Sequence, residues 1–129
     1  MVIDSSAIVA ILLKEPEAAA FALEIERAPI RLVSAATLLE TSIALEARRG
    51  TEAARDLDLF VYRSGIQIVP FDEGQAGLAR TAWRRFGRGN HPAGLNYGDC
   101  FAYALAESRG EPLLFKGGDF ALTDVQAVV

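Results

Sequence analysis

Short apolar runs alternate along the chain with longer stretches in which apolar residues recur every three or four positions. The short runs predict strands at residues 1–4, 30–33, 66–69 and 113–115, with a last short strand at 125–129. The longer stretches predict helices at residues 5–13, 17–27, 35–49, 51–64, 73–86 and 99–109. Strands that alternate with helices are typical of a parallel sheet covered on both faces, so the pattern predicts an α/β fold.

Capping and turn residues set several of the predicted boundaries. Ser34 precedes the third helix and Gly50 follows it, and both residue types are preferred at those positions. Asp72 is predicted to cap the fifth helix, with Gln75 completing a capping box. Residues 87–98 are rich in glycine and predict a loop.

Four acidic residues fall at positions that this topology would bring together. Asp4 closes the first strand, and Asp119 follows the fourth strand after two glycines. Asp99 begins the last long helix, and Glu40 lies within the third. Sites in parallel sheets form beyond the carboxyl ends of the strands, so we expect the acids to meet at one edge.

Each acid also has an ordinary structural explanation. Asp4 and Asp99 could simply cap helices, Glu40 could face solvent, and Asp119 could belong to a turn. The combination favours a site, because three of the four acids fall at junctions that a parallel sheet would bring to one edge. Two carboxylates about 4 Å apart repel by roughly 4 kcal/mol at an effective dielectric constant near 20. A divalent cation removes that repulsion. An all-oxygen set of ligands suits Mg²⁺ or Mn²⁺, and no pair of Cys or His residues offers a zinc site.

Packing predictions for two helices bear on the site. Glu40 is expected to border the buried face of the third helix, and that face is predicted to hold Leu39, Ile43 and Ala47. Trp83 is predicted to pack in the core. Tyr97 is open between core packing and stacking on a nucleic-acid base.

The composition indicates one domain, residues 1–129, with an apolar surplus. Hydrophobic residues make up 51% of the 129 positions, which favours a surface covered by a partner, although alanine-rich helices would also raise this fraction. The single cysteine, Cys100, is typical of a reducing compartment and is predicted to pack as a small apolar residue. The apolar start contains Asp4 and no preceding basic residue, so we expect a cytoplasmic protein without a leader.

The distribution of charge matters more than its total. The formal net charge of −4 argues against a protein that binds nucleic acid through phosphates. No Asp or Glu occurs between Glu73 and Asp99, however, and basic residues are concentrated in that window. The candidates for RNA phosphate contacts are Arg80, Arg84, Arg85 and Arg88. A solvated helix face is the alternative for this stripe.

Four segments resemble one known family in the right order. Residues 1–7 (MVIDSSA), 36–40 (ATLLE), 95–106 (LNYGDCFAYALA) and 113–120 (LLFKGGDF), followed by Thr123 and Asp124, resemble the PIN-domain proteins. The segment around Asp99 is the most specific. The most similar subgroup is the VapC-type toxins of bacterial type II toxin–antitoxin pairs.

The resemblance implies a three-layer α/β/α domain with a central, mostly parallel sheet of four or five strands. It also implies an endoribonuclease that depends on Mg²⁺ or Mn²⁺, with metal-site roles for Asp4, Asp99, Glu40 and Asp119, and a supporting role for Ser6. Many relatives carry a polar or acidic residue where Gly118 stands, so the fourth position rests on Asp119, with Asp124 as the substitute. The family further implies a homodimer and an antitoxin that covers the acidic pocket, in a heterotetramer or a larger assembly.

Other functions fit less well. An aspartyl phosphotransferase of the haloacid dehalogenase type needs a second aspartate where Ser6 stands. A receiver domain needs an acceptor aspartate at the end of a middle strand, where Val69 is followed by Pro70 and Phe71. A silent protein-binding module with the same fold is the alternative from another class, and it would have no need of all four acids.

Overall fold

The computed structural model describes all 129 residues and contains one four-stranded parallel sheet in the order β3-β2-β1-β4. The strands are β1 (Val2–Ile3), β2 (Leu32–Ser34), β3 (Gln67–Val69) and β4 (Leu113–Leu114). Val2 pairs with Leu32 on one side and with Leu113 on the other. The predicted strand at 125–129 is absent, since Ala127 forms only an isolated bridge with Leu113.

Six helices surround this sheet. They are α1 (Ser5–Leu12), α2 (Ala18–Arg27), α3 (Ala35–Arg49), α4 (Glu52–Arg63), α5 (Glu73–Phe86) and α6 (Tyr97–Arg109). A single 3-10 turn, Phe120–Leu122, follows β4. None of these helices has the length and apolar character needed to cross a membrane.

Two apolar cores lie on opposite faces of the sheet. Alternate residues of β1 and β4 point to different cores: Val2 and Leu113 pack with α5 and α6, whereas Ile3 and Leu114 pack with α1, α2 and α4. All four side chains are fully buried, which explains why these strands are uniformly apolar. The three-layer α/β/α prediction is therefore confirmed.

Asp4 caps α1, which is the structural role that the sequence left open for it. Capping differs from the prediction at two other helices. Helix α6 begins at Tyr97, before the predicted start, because Asn96 forms a capping box with Asp99. The box predicted for Gln75 does not form, since its side-chain amide donates to the Pro70 carbonyl at 3.0 Å, although Asp72 does accept from the Gln75 backbone N–H.

The predicted buried face of α3 is wrong. Leu39 and Ile43 are 63% and 59% exposed, and Ala47 is exposed as well. The buried residues are Thr37, Thr41 and Leu45. Thr41 can be buried because its hydroxyl donates to the Thr37 carbonyl at 2.7 Å, which replaces its bond to water.

The core position predicted for Trp83 is also wrong. Its side chain is 48% exposed, and the inward face of α5 is made instead by the small residues Ala79 and Ala82. Small side chains let α5 pack closely on α6, which leaves no room between the helices for an indole. Because the indole of Trp83 has no room between the helices, it forms an aromatic surface on the outside of this helix pair.

Candidate active site

The four acids belong to separate elements that meet beyond the carboxyl ends of the strands. Asp4 directly follows β1, and the loop that carries Asp119 follows the neighbouring strand β4. Asp99 lies in the first turn of α6, and Glu40 lies in the second turn of α3. The four acids affect one another electrostatically, because the charge of each acid acts on the pKa of at least one other.

Asp4 is buried and firmly oriented. Its Oδ2 accepts hydrogen bonds from the Ser6 backbone N–H at 3.0 Å and from the Ser6 hydroxyl at 2.6 Å. The Ser6 hydroxyl oxygen in turn accepts from the Lys116 backbone N–H at 2.9 Å. Ser6 therefore links the acid after β1 to the loop after β4. Burial raises the pKa of Asp4, the charge of Glu40 adds to the rise, and the bonds from Ser6 oppose it.

Asp99 is part of the capping box of α6 and also belongs to the acidic cluster. Its carboxylate accepts from the Asn96 backbone N–H at 3.0 Å, and Asn96 Oδ1 accepts from the Asp99 N–H at 2.9 Å. Burial raises the pKa of Asp99 to about 6, with further contributions from the charges of Asp4 and Asp119. The Asn96 bond and the charge of Arg88 lower it only in part. Capping alone does not explain a carboxylate in such a field.

Glu40 lies against the backbone of Gly98. A Cβ atom added to Gly98 would overlap the Glu40 carboxylate, since it would lie 2.5 Å from Glu40 Cδ. Burial raises the pKa of Glu40 and the charge of Asp99 raises it further, while the Ser5 hydroxyl lowers it.

Sequence reasoning missed Gly98, which it assigned only to a flexible loop. The available signal was a glycine inside the first turn of a capped helix, where glycine lowers helix stability. Such a position indicates that another group needs the space.

The two acids that follow β4 have different surroundings. Asp119 is exposed, makes no capping hydrogen bond, and acts on the pKa of Asp99. Asp124 accepts a short hydrogen bond from the Tyr103 hydroxyl and forms an ion pair with Arg85 at 3.1 Å. Burial would raise the pKa of Asp124, but Tyr103 and Arg85 outweigh this effect, so its pKa is lowered.

No basic side chain pairs with the four acids. The ion pairs of the molecule involve the amino terminus, Arg85 and Lys116, and none of them includes Asp4, Glu40, Asp99 or Asp119. No three His, Cys, Asp or Glu side chains are grouped closely enough to form a ready metal centre. The donor chemistry nevertheless fits a hard cation, because every candidate ligand is a carboxylate oxygen and three of the four pKa values are raised.

The four candidate arginines differ in what they contact. Arg85 is held by Asp124 and lies 4.6 Å from the centre of the Phe86 ring. Arg88 is close enough to lower the pKa of Asp99. Arg80 lines a groove beside Trp83, and Arg84 is exposed to solvent. All except Arg85 are free of ion pairs.

Known structures share this fold. The crystal structure of VapC20 from Mycobacterium tuberculosis, described as a sarcin-ricin loop cleaving toxin, matches with a TM-score of 0.77 at 18% identity, covering 98% of this chain and 97% of that one. VapBC2 from Rickettsia felis, bound to a DNA fragment from their promoter, matches with a TM-score of 0.74 at 12% identity, covering 98% of this chain and 94% of that one. At these identities the likeness concerns the fold.

Sequence comparisons identify the family of the chain in addition to its fold. Ribonuclease VapC of Mycolicibacterium smegmatis is 53% identical over 128 residues, covering 99% of both proteins. Ribonuclease VapC30 of Mycobacterium tuberculosis is 51% identical over 128 residues, covering 99% of this chain and 98% of that protein. The family model described as PIN domain matches residues 1–126. The chain therefore belongs to the PIN-domain family and, within it, to the VapC ribonucleases.

Proposed function

We propose that this chain is the toxin of a type II toxin–antitoxin pair and hydrolyses RNA phosphodiester bonds at the acidic cluster with the help of Mg²⁺ or Mn²⁺. One observation carries the metal dependence: buried and half-buried carboxyl groups act on one another, and no Lys, Arg or His forms an ion pair with any of them. Carboxylates in this position gain most from a divalent cation, which neutralises them together.

Each of the four acids is proposed to have the role that its surroundings suit. Asp4 and Asp99 are proposed to hold the cation, because each is fixed by hydrogen bonds from its own helix start. When bound, the cation supplies a Lewis acid for the phosphate and an activated water. Glu40 is proposed to accept the proton of the attacking water, because burial and the charge of Asp99 raise its pKa above the usual value and so make it a stronger base than an ordinary glutamate. Asp119 would complete the ligand set.

Two further groups support this chemistry. Ser6 is a positioning residue, because its hydroxyl orients Asp4 and accepts from the Lys116 N–H. Arg88 is proposed to contact an RNA phosphate next to Asp99, and Arg80 and Arg84 to contact phosphates farther along the strand. Of the four candidate arginines, Arg85 is the least available for a phosphate contact, since it is paired with Asp124.

An antitoxin is the proposed protein partner. A protein of the same fold is described in a VapBC2 assembly, which supports a partner of this kind here. The outward face of α3, with Leu39 and Ile43 largely exposed, supports a homodimer. A cytoplasmic location agrees with the RNA substrate and with the free thiol of Cys100.

RNA cleavage by the purified protein tests the proposal. With Mg²⁺ or Mn²⁺ we expect endonucleolytic products, and we expect none in EDTA. Asp99→Asn keeps the hydrogen-bond acceptor that caps α6 but removes the charge, and it should slow cleavage by about a thousandfold, equivalent to roughly 4 kcal/mol. Asp58→Asn, which changes an exposed aspartate on α4, is the matched control and should cleave like the wild type.

Calorimetric titration and growth tests separate the alternatives. The wild type should bind Mn²⁺ and arrest growth when expressed in bacteria, and Asp4→Ala should do neither. Equal growth arrest by both proteins, or cleavage that continues in EDTA, would contradict the metal-dependent mechanism. Folded protein that neither binds the cation nor cleaves RNA would point to the silent binding module instead.

A further inference from the structure

A groove of about 430 Å³ lies between α5 and the start of α6. Its walls are mainly aromatic, and one arginine lies at its rim; the residues that matter are Phe71, Arg80, Trp83, Tyr97, Cys100 and Phe101. The volume falls in the range of sites that bind small organic groups. The catalytic roles proposed above use none of these side chains except the general phosphate role of Arg80.

The aromatic floor of the groove is held in place by its own packing. The Phe101 ring packs edge-on against Phe71, with 4.7 Å between ring centroids, and against Tyr97, with 4.8 Å. Two larger rings remain open to solvent at the walls, since Trp83 is 48% and Tyr97 is 82% exposed. Fixed rings with free surfaces can stack on a flat ligand with little loss of side-chain freedom.

The charge of the groove selects among flat ligands. Arg80 is exposed and forms no ion pair, and residues 74–98 contain no Asp or Glu. A cationic rim over aromatic walls complements a ligand that joins an aromatic ring to an anion. A nucleotide has this composition, with a base to stack and a phosphate for the guanidinium.

The position of the groove relates it to cleavage. Tyr97 lines it and directly precedes Gly98, whose backbone lies against the Glu40 carboxylate. A base in the groove would therefore leave its attached phosphate near the acids. We propose that the groove is a nucleobase subsite that takes one unpaired base of single-stranded RNA beside the scissile phosphate, with Arg80 on a phosphate. This proposal rests on the proposed ribonuclease function and adds how the substrate is chosen.

Intrinsic fluorescence tests the subsite directly, because Trp83 is the only tryptophan of the chain. The wild-type protein is titrated in EDTA with single-stranded RNA hexanucleotides of each base and with a blunt RNA duplex. We expect saturable quenching by at least one single-stranded oligonucleotide and much weaker quenching by the duplex, whose bases are already stacked. Tyr97→Ala and Arg80→Gln should each weaken binding roughly tenfold.

Matched controls exist on α4. Tyr62 is 84% exposed, almost the same as Tyr97, and Arg63 is exposed as Arg80 is. Tyr62→Ala and Arg63→Gln should leave the affinity unchanged. Arg80→Gln should also reduce the slope of log affinity against log salt by about 0.7, the value expected for one phosphate contact on a single strand.

Three results would overturn the subsite. They are the absence of quenching at millimolar oligonucleotide, equal weakening by Tyr62→Ala, and a dimer in sedimentation that Tyr97→Ala dissociates while RNA leaves Trp83 unaffected. The last result would show that a second copy covers the groove. Cleavage without quenching would reject the subsite and leave the ribonuclease standing. Quenching without cleavage in either Mg²⁺ or Mn²⁺ would reject the ribonuclease and leave only a groove that binds a base, with no scissile phosphate beside it.

Discussion

A cluster of three acids and a single acid, Asp124, are in opposite electrostatic states. In the cluster of Asp4, Glu40 and Asp99, burial and mutual repulsion raise every pKa. One helical turn farther along α6, Tyr103 and Arg85 hold Asp124, and its pKa is lowered. The difference lies in the partners: Asp124 forms an ion pair with Arg85 and accepts a hydrogen bond from Tyr103, whereas no cationic side chain forms an ion pair with the cluster and the charge of Arg88 lowers the pKa of Asp99 only in part.

This contrast distinguishes a structural carboxylate from a functional one. A paired acid contributes to the fold and is already neutralised, so it gains little from an added ion. An acid held in an uncompensated field lowers the stability of the empty protein and regains that free energy when a cation binds. The choice between Asp119 and Asp124, open from sequence, therefore becomes a matter of which acid is already paired.

Replacing Asp119 and Asp124, one at a time, by asparagine is the most direct test of this contrast. Asp119→Asn should reduce the cleavage rate by about a hundredfold, as expected for loss of a metal ligand. Asp124→Asn should leave the rate within about threefold and lower the free energy of unfolding by about 1 kcal/mol, because it weakens the bonds to Tyr103 and Arg85. Cleavage assays and urea unfolding measure both quantities. The reverse pattern would assign the fourth position to Asp124.

Filling the space at Gly98 tests whether the cluster depends on close approach. Gly98→Ala should move the Glu40 carboxylate away and reduce cleavage roughly tenfold, with weaker Mn²⁺ binding by calorimetry. Stability should not fall to match, since alanine favours a helix over glycine by about 1 kcal/mol.

Gly77→Ala is the control for this substitution, because a Cβ at Gly77 meets nothing within 4 Å. It should keep full activity. The loss should also vanish in a Glu40→Gln background, where the two substitutions act on the same contact. Full activity of Gly98→Ala would mean that the position of Glu40 is unimportant for cleavage.

The smallest expected effect is an unusual pH dependence of stability. Folded Asp99 holds its proton up to a pH of about 6, whereas the unfolded group releases it near 3.8. Between these values the folded state binds more protons, so the free energy of unfolding of the metal-free protein should rise as pH falls through 6. After allowance for solvent screening the gain is about 1 kcal/mol.

Urea unfolding in EDTA at pH 7.5, 6.5 and 5.5 measures this gain. Asp99→Asn should reduce it, and the Asp124 pair should not contribute, because a lowered pKa affects stability only at more acidic pH. A stability that falls steadily from pH 7.5 to 5.5 would show that the acids of the cluster are not held in an uncompensated field.

Local signals in the sequence predicted most of the fold. Ser34 and Gly50 bound α3 as expected, and the uniformly apolar β1 and β4 proved to be buried strands. The predictions failed where neighbours in space decide. The apolar residues Leu39 and Ile43 lie outside because buried Thr37 and Thr41 face inward, and residues 125–129 add one bridge instead of a strand.

The sequence by itself determined which acids the chain carries, their order, and their places at strand ends and helix starts, because these depend on local propensity and on the topology of parallel sheets. Tertiary structure alone decided that Arg85 neutralises Asp124, that Gly98 makes room for Glu40, and that Trp83 faces a groove. Solvation and charge act through space over several ångströms, so the state of a carboxylate depends on residues that are distant in the chain.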